Sequence, residues 1–123
     1  MTDDPPPLSL VTCLLAQGPG SPIGDTAQGV ELLLALTPDG RLDADAFLAD
    51  PRPWRARRFR PDRDDWHGEL VLEDETWTLR GDPSADGPLW FLEATRLRPG
   101  EYLLLRRPDG ERLTFRVVGI APT

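Results

Sequence analysis

Arginines with aromatic side chains between them fill residues 52–66, and these residue types could do binding chemistry. Residues 52–63 carry six arginines and one acid, a local charge of +5, in a chain of net charge −7, so the remainder carries −12. Guanidinium groups bind carboxylates and phosphates through paired N–H donors, and the interleaved rings can anchor a protein interface or stack on unpaired bases. The candidate binding residues are Trp54, Arg55, Arg57, Arg58, Phe59, Arg60 and Trp66.

Three interpretations of this segment stay open. It could lie across the chain's own acidic surface while its aromatic rings fill the core, it could bind another protein, or it could bind an anion or single-stranded nucleic acid. All fourteen basic residues of the chain are arginine and there is no lysine, a composition typical of a GC-rich genome. Arginine therefore also does the ordinary work of lysine, and its abundance alone does not indicate phosphate recognition.

Histidine and cysteine each occur once, as His67 and Cys13. One of each can form neither a two-histidine metal site nor a multi-cysteine zinc site, and no internal disulfide is possible. Cys13 lies among leucine and valine, which predicts a small buried hydrophobe with no basic neighbour to activate it. His67 stands between Trp66 and Gly68 at the start of a predicted strand, which favours a structural role.

Carboxylates are abundant, but no pair lies in an apolar setting that would raise a pKa for acid catalysis. The glycine-rich stretch 17–24 lacks the terminal Gly-Lys-Ser/Thr of a phosphate loop. We therefore assign no catalytic residue, metal ligand or cofactor, and favour a protein that is not an enzyme. A small-ligand-binding barrel or a carboxylate-dependent hydrolase stays a second alternative.

Fourteen prolines and eleven glycines cut the chain into short segments, which favours strands over long helices. Alternating apolar residues predict a hairpin over 69–73 and 76–80, and another over 101–107 and 111–120. Further strands are predicted at 8–16, 30–36 and 89–94. A two-turn helix is expected at 43–50, with Asp43 as its N-cap and Pro51 ending it. Residues 17–29 are expected to be loop and residues 52–65 irregular.

These elements predict a mostly β fold, a small antiparallel barrel or sandwich of about six to seven short strands with one short helix near 43–50. A barrel is favoured over a sandwich because closure removes exposed edges. Residues 1–7, which are acidic and proline-rich, are expected to be a flexible tail before a single β-rich domain over 8–123.

The leading functional hypothesis is a small non-enzymatic interaction module, such as an adaptor, accessory or immunity-like protein, that binds another protein. The alternative is an anion or single-stranded nucleic-acid binder acting through the Arg/aromatic segment 52–66. The net charge of −7 disfavours nucleic acid, because an acidic body repels a polyanion. The apolar runs are too short to span a membrane, and a cytoplasmic location is expected.

Overall fold

The computed structural model describes residues 8–18, 23–50, 52–81, 90–94 and 96–122. Over this part of the chain eight strands follow one another, with one short helix between the second and the third. They are β1 Ser9–Gln17, β2 Asp25–Leu34, α1 Ala44–Ala49, β3 Trp54–Arg60, β4 Arg63–Glu73, β5 Thr76–Gly81, β6 Trp90–Glu93, β7 Tyr102–Arg106 and β8 Arg112–Pro122.

Each strand pairs in antiparallel fashion with the next, and β8 pairs with β1 to close the barrel. The predicted fold class is confirmed: the chain is mostly β, antiparallel and closed, with one short helix. The strand count is eight, slightly more than expected. Closure pairs every strand on both sides and so removes the open edges that an isolated small sheet would expose.

The barrel interior is built by side chains at alternate positions of each strand. Val11, Cys13 and Leu15 of β1 and Phe115 and Val117 of β8 are all buried. Cys13 lies beside Val30 of β2 on one side and Val117 of β8 on the other. Because side chains in a strand point alternately to the two faces, the period-2 pattern of these strands directs one apolar row into a common core.

An aromatic plug, formed by Phe47, Trp54 and Trp77, covers the end of the barrel where β3 and β5 begin. The Asp43 carboxylate accepts a hydrogen bond of 3.0 Å from the Ala46 amide, which caps α1 as predicted. The helix carries Phe47, whose ring meets Trp54 edge-on at 5.4 Å and Trp77 at 5.7 Å. The two indoles stack at 5.2 Å.

Two predictions of irregular structure are wrong. Residues 52–65 contain all of β3 and the start of β4, and β2 begins at Asp25, inside the expected loop 17–29. β3 runs from the plug, where Trp54 lies, to the opposite end of the barrel, which we call the mouth, and β2 begins at the mouth. At the mouth the strands extend beyond the apolar core. Charged and polar residues stand there in place of the apolar residues whose alternation identifies a strand in a sequence.

The hairpin between β4 and β5 turns at Asp74 and Glu75, which have φ values of 48° and 64°. Two successive positive φ angles are the signature of a two-residue turn whose twist matches the flanking strands. The hairpin predicted over 69–73 and 76–80 is therefore confirmed. The predicted tail, residues 1–7, lies outside the described residues, within which no helix is long and apolar enough to cross a membrane.

Candidate functional site

The register of β3 divides the arginine-rich segment between the two faces of the barrel wall. Arg58 stands beside Val30 of β2, and Ala56 stands beside Leu32, so both residues belong to the interior face. The intervening residues therefore face outward. The candidate residues fall into an outer set of Arg55, Arg57 and Phe59 and an inner set of Trp54, Arg58, Arg60 and Trp66.

Arg57, in the outer set, is held by acids of the same protein. Its guanidinium donates to Asp65 at 2.7 Å and also to Glu31, and it lies 5.1 Å from the centre of the Phe59 ring. These hydrogen bonds, with that to Glu31 foremost, raise the pKa of Arg57 above its ordinary value. The Phe59 ring covers Gly29, occupying the place of a side chain there. Arg55 is exposed. Arg57 thus fits the structural interpretation, in which the segment pairs with its own acidic surface.

The two tryptophans of the candidate set are structural in their placement. Trp54 is only 7% exposed, within the aromatic plug. The Trp66 ring folds over Gly68 on the same strand and packs against the core, filling space that the small residues Ala56 and Gly68 leave. Neither ring is a free platform for stacking.

Arg58 and Arg60 lie at the mouth, together with two arginines from outside the candidate set. Arg63 is the β4 neighbour of Arg60, and Arg107 follows β7. The guanidinium carbons of Arg58 and Arg107 lie 5.7 and 4.6 Å from the centre of the Trp90 ring. We call Arg58, Arg60, Arg63 and Arg107 the mouth arginines.

The mouth arginines are short of partners. Arg107 reaches Glu111 at 3.3 Å, but within the described residues no carboxylate lies within ion-pair distance of Arg58 or Arg60. The Nε atoms of Arg58, Arg60 and Arg107 are buried and make no hydrogen bond in this part of the chain. A buried donor without an acceptor costs about 1–3 kcal/mol. An anion bound at the mouth would supply acceptors for these donors.

Burial and like charge both act on Arg58. Burial lowers the pKa of Arg58 to about 10, and repulsion from Arg60 and Arg107 adds to the lowering while Glu111 opposes it. The guanidinium still carries its charge at neutral pH. Arg58 thus differs from its neighbour Arg57, whose pKa is raised by its carboxylate partners.

A groove of about 250 Å³ opens beside these side chains, and we call it the mouth groove. It is lined by Gln28, Arg58, Arg60, Pro61, Asp62 and Arg63. Together the mouth arginines, Asp62 and Glu111 carry a net charge of +2 on a protein of net charge −7. The groove is open to solvent at the turn between β3 and β4, where Pro61, Asp62 and Arg63 are exposed.

Sequence reasoning missed Arg63, Arg107, Trp90 and Gln28 as members of this site. Arg63 was inside the arginine-rich segment, so charge alone could have drawn attention to it. Arg107 and Trp90 are distant from β3 in sequence, and only the closure of the barrel brings them to Arg58. No local sequence signal reports that approach.

The residues considered for catalysis lie apart from the mouth groove. His67 is exposed beside Arg57 on the outer face, and Cys13 is fully buried in the core, where burial raises the pKa of its thiol to about 12. Within the described ranges, no group of three or more His, Cys, Asp or Glu residues could hold a metal ion.

In comparisons with known proteins, no family model, curated protein or solved structure matches this sequence.

Proposed function

We propose that this protein is a non-enzymatic binding module that recognises an anionic group of its partner in the mouth groove. The observation that carries the proposal is the state of Arg58 and Arg60. Within the part of the chain that the structure describes, their Nε atoms are buried without a hydrogen-bond partner and neither guanidinium has a carboxylate partner, although acids are abundant there. A bound oxyanion would satisfy these donors through charge-assisted hydrogen bonds.

Other arginines of the chain support this interpretation by contrast. Arg52 pairs with Asp50 at 2.7 Å, and Arg80 pairs with Glu73 at 2.8 Å. Acids are thus placed beside arginines whose role is structural. The mouth groove departs from that pattern: it gathers like charges, and its one acid, Asp62, makes no ion pair within the described chain. Functional sites are where a protein is expected to break a pattern that the rest of its sequence follows, here the pairing of arginines with acids.

Binding is a better fit than catalysis because three of the four charged groups that line the groove are guanidinium groups. A guanidinium remains protonated and has no acceptor, so it can bind and orient an anion but cannot serve as a general base at neutral pH. Gln28 adds an amide, which donates a hydrogen bond of 3.0 Å to Asp25.

The cytoplasmic location expected from the sequence stays a prediction.

The leading hypothesis from the sequence is that the chain binds another protein, and a protein with an acidic segment is therefore the second candidate partner. The observation in its favour is the position of the groove at an exposed hairpin tip, where residues 61–65 are all exposed and a large partner could approach. In this version the acidic side chains of the partner supply the anionic group, and the mouth arginines remain the site.

A pair of double variants tests the proposal at constant net charge. In the mouth variant, Arg58→Gln and Arg60→Gln, two mouth arginines are neutralised. In the outer variant, Arg55→Gln and Arg116→Gln, two exposed arginines on the outer face are neutralised. Both variants carry the same net charge, so a difference between them reports the site and not the overall field.

Isothermal titration with inorganic pyrophosphate and with a hexaglutamate peptide measures the result. We expect at least one probe to bind the wild type and the outer variant alike, and to bind the mouth variant at least tenfold more weakly, since two charge-assisted contacts are lost. Equal affinity of the two variants, or no binding of either probe to the wild type, would refute the proposal.

A further inference from the structure

The charge and the hydrogen-bond donors of the mouth groove narrow the chemistry of its ligand, if the proposed function holds. We propose that the groove binds the doubly charged phosphate group of a small molecule, or phosphate itself, in preference to a carboxylate or a phosphodiester. Among the described residues, four positive and two negative side chains leave +2 at the site, which a dianion neutralises and a monoanion does not. The groups counted are Arg58, Arg60, Arg63 and Arg107 against Asp62 and Glu111.

The donors of the site also favour a phosphate. Three Nε–H groups of the mouth arginines find no acceptor among the described residues, and each guanidinium presents further N–H groups in a planar fork. A phosphate monoester has three terminal oxygens, and each accepts hydrogen bonds from several directions. A carboxylate has two oxygens in one plane and carries one charge, so it would leave part of the cluster unsatisfied.

Nucleic acid is a poorer fit to the same groove. Binding of single strands relies on exposed aromatic rings on which bases stack. Trp90, the ring at the mouth, is 2% exposed and already lies against Arg58 and Arg107, while Trp54 is enclosed in the aromatic plug. A phosphodiester also carries one charge per phosphate. Beyond the mouth, the remaining acidic surface would repel a long polyanion.

The groove, of about 250 Å³, accommodates a phosphate, and its opening at the β3–β4 turn lets an organic portion extend toward solvent. It lies between the β3–β4 turn and the side chain of Gln28, so the organic part of the ligand would meet Pro61 and the Gln28 amide.

Titrations with methyl phosphate, dimethyl phosphate, acetate and inorganic phosphate at constant ionic strength test this proposal. At pH 7.5 we expect methyl phosphate to bind at least tenfold more tightly than dimethyl phosphate or acetate. About one further charge-assisted contact accounts for a difference in affinity of this size. Because the second pKa of a phosphate monoester is about 6, its affinity should fall up to about tenfold between pH 7.5 and 5.0. The affinity of dimethyl phosphate should not change in this range.

Titration with inorganic phosphate shows whether the groove takes the free ion or the phosphate group of an organic molecule. Tighter binding of methyl phosphate would show that the groove holds an organic portion, and equal affinity would show that it takes the ion alone. Both results support the phosphate proposal. Acetate or dimethyl phosphate binding as tightly as methyl phosphate would overturn it while leaving an anion site in place, whereas failure of the Arg58→Gln/Arg60→Gln variant to weaken any probe would reject the site itself. The Arg107→Gln variant provides a second, independent change should the double variant not fold.

Discussion

Arg57 and Arg58 are adjacent on β3, yet their surroundings are opposite. Arg57 faces outward, where Glu31 and Asp65 hold its guanidinium. Arg58 faces the interior, where it meets other arginines and the Trp90 ring. The alternation of side chains along a strand separates the two roles by a single position. A stability measurement should therefore distinguish Arg57, which is paired with acids, from Arg58, which we propose binds an anion.

We predict that Arg58→Met stabilises the protein and that Arg57→Met destabilises it. Removing a partly buried charge without a partner should raise the free energy of unfolding by about 1 kcal/mol, even after the loss of its contact with Trp90. Removing Arg57 should lower it by about 1 kcal/mol, and this loss should shrink in 1 M salt because the ion pairs are half-exposed. Urea unfolding measures both effects; a destabilised Arg58→Met would assign Arg58 a structural role.

Cys13 gives a pH dependence whose sign follows from its burial. Its folded pKa is raised to about 12, whereas an exposed thiol titrates near 8.5. Above pH of about 8.5 the unfolded chain loses the proton and the folded protein keeps it, so Cys13 reduces stability as pH rises toward 12. Below that range it has no such effect.

The Cys13→Ala variant should lack this contribution. Between pH 8 and 10, the stability of the wild type should fall by about 1–2 kcal/mol more than that of Cys13→Ala, and the constant cost of the lost sulfur cancels in the comparison. The same burial predicts that a thiol reagent modifies Cys13 only as fast as the protein opens. Rapid modification of the folded protein would contradict the buried placement.

At the scale of elements, α1 matters because it carries Phe47 into the aromatic plug. We predict that Phe47→Ala lowers the free energy of unfolding by about 3–4 kcal/mol, since the ring contacts of Trp54 and Trp77 are lost and a cavity remains. Asp43→Ala should cost about 1 kcal/mol through loss of the N-cap. The control is Leu48→Ala, because Leu48 is 64% exposed and its change should cost less than about 0.5 kcal/mol. Equal costs for Phe47→Ala and Leu48→Ala would show that the helix does not seal the barrel.

The elements also show which parts of the fold were predictable. The hairpins of β4–β5 and β7–β8 were predicted because their interior positions are apolar and their turns carry recognisable residues. β3 was missed because its interior positions include Arg58 and Arg60, which hide the period of two. A strand that extends from the core into a charged mouth has no apolar row along its full length. The sequence signal was therefore lost at the very element that builds the site.

At the scale of the whole molecule, the two ends of the barrel differ in chemistry. Aromatic rings and a short helix cover the plug end, and arginines gather at the mouth. The segment 52–63 was recognised from its charge, but barrel closure alone brings Arg107 and Trp90 to Arg58. The seven candidate residues therefore lie in four places, the plug, the outer face, the core and the mouth, and this division depends on strand register and cannot be derived from composition.

The central claim is that the mouth arginines form the binding site. Its most direct test is an NMR titration of the arginine Nε–Hε signals of the wild type with methyl phosphate at pH 7.5 and constant ionic strength. We predict saturable shifts of the Arg58, Arg60 and Arg107 signals, while the signals of Arg55 and Arg57 on the outer face remain in place. Signals of the mouth arginines that stay unchanged, or that shift no more than those of the outer face, would contradict the central claim.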